Sequence, residues 1–275
     1  MYLGTRLLGI DTNMRKSITP AEKLAVTLRY LGTGCTFIDL HYTFKLGAST
    51  VENIVREVCI AVWEELAHIE MPSLTEQLWK NTAEMFEQRA NFPHCLGARL
   101  LMQIINFCTS MSDLFGRTPD STIFKKFTLW NLLTRNELNI PKACPITNTN
   151  IVANYVFVGD EAFGLSEHVL RPYGGRNLTN KKRIFNYRLS RARRYVECAF
   201  GILSNKWRIF HRPLNVNTEL AVNITNACCV LHNFVRERNG IDFKDSLTVE
   251  GFEEINPKEQ FHGNMISRTK CKTMI

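Results

Sequence analysis

Asn154-Tyr-Val-Phe-Val-Gly-Asp160 is the stretch on which the reading of this chain turns. Its four central residues are all β-branched or aromatic, and they are bounded by an asparagine before and a Gly-Asp pair after. That pattern predicts a short buried strand ended by a turn. A carboxylate just past the carboxyl end of a buried strand, beside a glycine, stands where α/β folds place the mouths of their sites. Taken alone, Asp160 reads first as a turn aspartate that caps its own backbone.

The segment downstream gives that acid a companion. From Thr179 to Phe210 the spacing predicts one long helix carrying Lys181, Lys182, Arg183, Arg188, Arg191, Arg193, Arg194, Lys206 and Arg208. Such a run is either a solvated basic face or a helix that binds nucleic acid. Glu197 is a lone acid within it, set among Tyr195, Val196, Ala199, Phe200, Ile202 and Leu203. Two roles can be combined here: the cations hold a phosphate backbone, while the acid helps hold a divalent cation at the bond to be cut. In-line phosphodiester cleavage builds charge on the attacking and leaving oxygens, and metal ions stabilise both. Mg²⁺ and Mn²⁺ prefer carboxylate oxygens, so Asp and Glu are the expected ligands.

Outward from this pair, Thr218 to Arg236 predicts a packed helix, with Leu220, Ala221, Ile224, Ala227, Cys228, Leu231 and Val235 on one side. The tail after Asn239 has no sustained periodicity. Before the strand, Leu100 to Phe107 is β-rich. Earlier still, Ser17 to Glu87 is helical in pattern. Thr19-Pro20 with Glu22 is an N-cap arrangement, and Gly32 and Gly34 are expected to stop that helix. A short helix from Thr36 to Phe44 follows, then a turn at Gly47, then a long helix capped by Ser49. The series is of the helix-turn-helix type, with Thr50, Glu52, Asn53 and Arg56 facing outward. A plain helical bundle has the same spacing, and Glu52 and Glu57 repel phosphates. The expected organisation is a helical region over 1–90, an α/β domain over 91–240 and a loose tail over 241–275.

The 275 residues carry a formal net charge of +8, with 45% hydrophobic and 22% charged residues, as in an ordinary folded protein with a leaning toward polyanions. Nine cysteines, without a CxxC pair or suitably spaced histidines, do not form a zinc-finger pattern. Adjacent Cys228 and Cys229 lie in an apolar run and are expected to be buried thiols. No apolar stretch is long enough to span a membrane, and Met1 to Ile10 does not have the form of a signal peptide. Reduced thiols in nucleus or cytoplasm are expected.

Several motifs together resemble the DDE endonuclease domain of PIF/Harbinger transposases and the domesticated nucleases derived from them. They are Tyr155-Val-Phe-Val-Gly-Asp-Glu-Ala-Phe163, Leu170-Arg-Pro-Tyr-Gly-Gly175, Phe185 to Gly201, and Ala227-Cys-Cys-Val-Leu-His-Asn-Phe234. The likeness extends from about Ile18 to Gly240, since Ala21 to Leu66 is similar to that family's N-terminal helices. It implies an RNase H-like nuclease fold, a hydrolase acting on DNA, and a divalent Mg²⁺ or Mn²⁺ held by three acids. Asp160 matches the second acid and Glu197 the third. It also implies a separate Myb-like DNA-binding partner and work in the nucleus. His232 matches a family motif but belongs to a packing helix.

The first acid has no counterpart. The family places it in a Gly-Ala-Ile-Asp-Gly segment soon after a Phe-Pro-Asn-Cys-like stretch. Here Asn91-Phe-Pro-His-Cys-Leu-Gly-Ala98 runs straight into Arg99, and the likeness resumes near Phe115-Gly-Arg-Thr-Pro-Asp-Ser-Thr-Ile-Phe124. Asp113 and Asp120 do not match the first-ligand motif. Part of the central sheet is expected to be missing with the acid, so the fold class is α/β with a truncated sheet. Two functions remain open. One is a transposase-derived nuclease with Asp160 and Glu197 on the metal and Lys181, Lys182, Arg183, Arg188, Arg191 and Arg194 on DNA. The other is a catalytically inactive DNA-binding or adaptor protein.

Overall fold

The structure, a computed structural model, describes residues 3–9, 11, 17–71, 73–97, 133, 135, 137–159, 161 and 165–239. Residues 1–234 cluster into one compact unit and 235–275 into a second, of which only the last helical turn, to Asn239, is described. The expectations for Leu100 to Phe107, for Asp113 and Asp120, and for the tail over 241–275 lie outside the described residues.

The first helix, α1 (Pro20–Thr33), starts as its sequence predicts. Thr19 accepts from the Glu22 N–H, and the Glu22 carboxylate accepts from the Thr19 N–H at 3.0 Å. This reciprocal pair satisfies two amides that a helix start would otherwise leave bare. Gly32 does not stop the helix but lies inside it. Gly34 is the cap, left-handed at φ 66°, and its N–H donates to the Tyr30 carbonyl. Helix α2 (Phe37–Phe44) repeats the device with Thr36 and Asp39. Helix α3 (Ala48–Glu70) differs from expectation. Gly47 is its N-cap, without a side-chain hydrogen bond, and Ser49 falls within the first turn. Of the four polar positions expected to face outward on α3, Asn53 is exposed, while Thr50, Glu52 and Arg56 are half-buried. Helix α4 (Glu76–Ala90) is capped by Thr75 and closed by a left-handed Asn91.

Among the described residues, four two-residue strands follow. Strands β1 (Cys144–Pro145) and β2 (Val152–Ala153) form an antiparallel hairpin. Strand β3 (Phe157–Val158) pairs in parallel with β4 (Val169–Leu170), and Cys95 bridges in parallel to Val156. The predicted strand at Tyr155–Val158 is therefore flanked on both sides. Val156 N–H donates to His94 O and Leu96 N–H to Val156 O, both at 2.9 Å. On the other edge Phe157 N–H donates to His168 O at 2.7 Å.

Helix α5 (Asn180–Lys206) ends earlier than the Phe210 expected from sequence. The chain continues through Trp207 into a 3₁₀ turn over Arg208–His211, then into α6 (Thr218–Asn239). Two buried clusters hold these elements. The larger joins Val26 and Leu31 of α1, Val51, Val55 and Val58 of α3, the end of α5 at Leu203, and Leu220, Ile224 and Cys228 of α6. The smaller joins Phe86 and Ala90 of α4, Cys95 and Val156, and Leu189 and Ala192 of α5. Leu189 is fully buried there; replacing such a leucine by alanine costs about 2–5 kcal/mol.

Candidate functional site

Strand β3 and helix α5 build the site. They pack against one another through Val156 on the strand side and Leu189 and Ala192 on the helix side. Phe92 and Tyr173 both lie against the Phe185 ring, with centroids 6.0 and 5.2 Å away. The residues on either side of Asp160 in the chain are tied down. Gly159 N–H donates to Leu170 O at 2.8 Å, and Arg171 donates to Glu161 O at 3.3 Å. Asp160 itself lies outside the described residues.

The turn after β4 is clamped to the start of α5. Asn186 accepts from the Tyr173 N–H at 2.8 Å and donates back to the Tyr173 carbonyl at 2.9 Å. Both main-chain groups of Tyr173 are thereby satisfied by one side chain, which fixes the turn without regular structure. Lys182 places its ammonium 4.9 Å from the centre of the Tyr173 ring, a cation–π contact that directs this cation toward the turn.

Along α5, Lys181, Lys182, Arg183, Arg188 and Arg194 are exposed and Arg191 is half-buried. Glu197 lies on the same helix with 64% of its side chain exposed, and Arg193 approaches its Oε1 at 3.4 Å. That is an i,i+4 pair of the kind worth a few tenths of a kcal/mol, easily exchanged for a stronger partner. Among the described residues no group of three or more His, Cys, Asp or Glu side chains could hold a metal ion.

Other elements show how charges are used elsewhere. Arg56, on the helix expected to carry DNA-facing positions, pairs with Glu52 at 3.6 Å and with Glu219 of α6 at 3.4 Å. His232 is buried in α6, where the sequence places a packing residue. Cys59, Cys95 and Cys229 are buried, and burial pushes their thiols up to about 12. No described helix is long and apolar enough to cross a membrane.

The model of the DDE superfamily endonucleases matches residues 80–233, more than half of the chain and the part that contains β3, α5 and most of α6. The chain belongs to the DDE superfamily endonucleases. A protein of Arabidopsis thaliana named "Protein ALP1-like" is 23% identical over 285 residues, covering 91% of this chain. The chain spans 66% of the length of that relative. No solved structure matches. The mixture of helices with small sheets agrees with the α/β class expected of a DDE endonuclease domain. The family match takes in Asp160, Glu197 and every cation named on α5. Sequence reasoning did not find the Asn186–Tyr173 clamp, whose signal is only an asparagine in the second turn of a helix that follows a Pro-Tyr-Gly-Gly turn.

Proposed function

We propose that this chain acts on DNA as a phosphodiester hydrolase of PIF/Harbinger descent, with Asp160 and Glu197 holding Mg²⁺ or Mn²⁺. What supports this most is the setting of Glu197. It is an exposed carboxylate amid the cations of a helix that packs on the strand leading into Asp160. An exposed acid in a weak 3.4 Å pair can exchange Arg193 for a divalent cation, and carboxylate oxygens suit both metals. The bound cation would supply charge neutralisation at the scissile phosphate. The chain's own residues do the rest. Arg188, Arg191, Arg194, Lys181 and Arg183 offer charge to the phosphate backbone, and Lys182 holds the turn that borders α5. Without a first acid, cation binding is weakened and the attacking water is less well placed, so cleavage is slow. The fold proposed for residues 91–240 is RNase H-like with part of its sheet missing through an internal deletion. The 1–90 helices are proposed as a helix-turn-helix-like region. A Myb-like partner would recruit the protein to DNA in the nucleus.

Calorimetry with Mn²⁺ on the purified chain beside Glu197→Ala tests the ligand assignment. Saturable binding lost in the variant is the expected result. Nicking of supercoiled DNA with Mg²⁺ or Mn²⁺, abolished in Asp160→Ala, tests the activity. A well-folded wild type that neither binds Mn²⁺ nor nicks DNA refutes the hydrolase. The sequence gap after Ala98 favours the second reading, a non-catalytic DNA-binding or adaptor protein. That reading requires DNA retention that is steep in salt and indifferent to chelator.

A further inference from the structure

The β1–β2 hairpin carries a thiol that the nuclease reading leaves without a role. Cys144 sits on β1 directly across from Ala153 of β2. His94 lies beside the hairpin, held in the left-handed region at φ 57° and buried. Its Nδ1 is 3.1 Å from the Ala153 carbonyl. A carbonyl only accepts, so Nδ1 must be the protonated nitrogen, and Nε2 of the neutral ring is left as an acceptor. Nε2 faces Cys144 Sγ at 3.6 Å. The Tyr155 hydroxyl is 3.4 Å from the same sulfur. Its ring stacks on the His94 ring at 4.5 Å and 10°, which fixes the plane of the imidazole. Burial and the bond to Cys144 push the Tyr155 hydroxyl up to about 12, so it stays a donor at neutral pH.

This is the arrangement of an activated nucleophile: a thiol, a base within reach, and a third group that orients the base. It also has an approach. Cys144 and Tyr155 line an open groove of about 740 Å³ whose other walls include Lys142, Lys80, Asn139 and Thr75. That volume is of the size that holds small molecules. Lys80 pairs with Glu76 at 2.8 Å, and Lys142 adds a cation to the rim. The thiols of Cys59 and Cys228 are fully buried and have no such opening.

We propose that Cys144 is a modification site that undergoes thiol–disulfide exchange with a small, carboxylate-bearing disulfide entering this groove. As the sulfur attacks one sulfur of the incoming disulfide, the thiol proton passes to His94 Nε2. A new bond joins Cys144 to that sulfur, the old S–S bond breaks, and the departing thiolate takes the proton from the imidazole. The products are a mixed disulfide on Cys144 and one free small thiol, so atoms and electrons balance. Lys142 draws the carboxylates of the disulfide to the groove.

The test uses the full chain and oxidised glutathione, with each cysteine followed by peptide mass mapping over time. Cys144 is expected to be modified first, and Cys144→Ser to abolish that product. His94→Asn, a residue that tolerates the left-handed backbone, is expected to slow modification of Cys144 about a hundredfold. Tyr155→Phe keeps the stacked ring and is expected to slow it less. Lys142→Glu should slow reaction with oxidised glutathione but not with a neutral disulfide such as hydroxyethyl disulfide. If His94→Asn opens the fold, the buried cysteines become reactive as well, and Tyr155→Phe together with Lys142→Glu then decides. Modification of Cys35 ahead of Cys144 overturns the proposal. So does a Cys144 rate unchanged in a folded His94→Asn, or unchanged in both Tyr155→Phe and Lys142→Glu.

Discussion

Adding one methyl group at Gly34 should destabilise this protein, while adding it two residues earlier should do the opposite. Gly34 caps α1 at φ 66°, where a residue with a Cβ costs about 1–2 kcal/mol. The new Cβ would stand 2.7 Å from the Arg208 carbonyl oxygen, 3.1 Å from its carbon and 3.3 Å from Ile209 Cα. These are backbone atoms of the 3₁₀ turn, which cannot swing aside as a flexible side chain would. The end of α1 must move from that turn, and overpacking of this kind costs about 1–3 kcal/mol. Gly34→Ala should therefore lose about 2–5 kcal/mol, a large part of the stability of an ordinary domain. Gly32 lies within α1, and a Cβ there meets nothing within 4 Å. Gly32→Ala should gain about 0.5–1 kcal/mol through helix propensity. Gly34→Asn separates the two causes, because asparagine tolerates the backbone angle but keeps the clash. It should fall between wild type and Gly34→Ala. The assay is urea unfolding followed by far-UV circular dichroism, with the midpoints of all four proteins compared under one condition. A Gly34→Ala midpoint equal to wild type, or a Gly32→Ala midpoint below it, would refute the reasoning.

Lys23 is buried and its ammonium meets both oxygens of Glu57, at 2.8 and 2.9 Å. Glu57 is 43% exposed, so water screens the pair, and Glu57→Gln should cost about 1–2 kcal/mol in the same urea assay. The capping carboxylates of Glu22 and Asp39 are both held below their ordinary values, first by the backbone N–H of Thr19 and Thr36 and then by their hydroxyls. A depressed folded-state value means fewer protons bound when folded. Their contribution is thus present at neutral pH and is lost as pH falls through the carboxylate range, near 4. NMR titration of Thr19→Val should move the Glu22 midpoint back up and leave Asp39 where it was. If the outer face of α5 holds DNA, replacing Arg188, Arg191 and Arg194 by alanine should lower the salt dependence of binding by about one unit of slope per phosphate contact removed. An unchanged slope would place the DNA elsewhere.

How much was legible depended on whether the signal was local. The cap at Thr19 was readable because Thr19 and Glu22 sit three residues apart, whereas the matching box of Thr36 and Asp39 was not read. The strand expected at Tyr155–Val158 was readable from its apolar run between Asn154 and Gly159, although β3 proper covers only Phe157–Val158, with Val156 in a separate bridge to Cys95. Three boundaries were displaced for a physical reason. Ser49 looked like the better cap, but the chain enters α3 two residues earlier, at Gly47. Gly32 looked like a stop, yet a lone glycine weakens a helix without ending it when the next turn packs, and Leu31 is fully buried. Phe210 looked helical because its apolar spacing continues, but it belongs to a 3₁₀ turn held by the Phe210–Trp207 backbone bond. At the candidate site, the acid–cation character of α5 was plain in the sequence. What could not be read were partnerships across sequence distance, such as Asn186 with Tyr173 and His94 with Cys144, because neither residue type announces its mate.

The larger buried cluster bears on how DNA could be engaged at all. Helices α1 and α3 do not close a core by themselves; Val26, Val55 and Val58 complete theirs with Leu203, Leu220, Ile224 and Cys228. Stripping residues 1–90 would leave those apolar surfaces of α5 and α6 bare, and exposed patches of that kind promote association. The same packing ties Arg56 to Glu219, so one cation of α3 is committed to α6. DNA that met α3 would have to compete with that pair, whereas Lys181, Arg183 and Arg188 of α5 are exposed to solvent. If the chain holds DNA as proposed, electrostatics places the first contact with the phosphate backbone on α5, the helix that also carries Glu197.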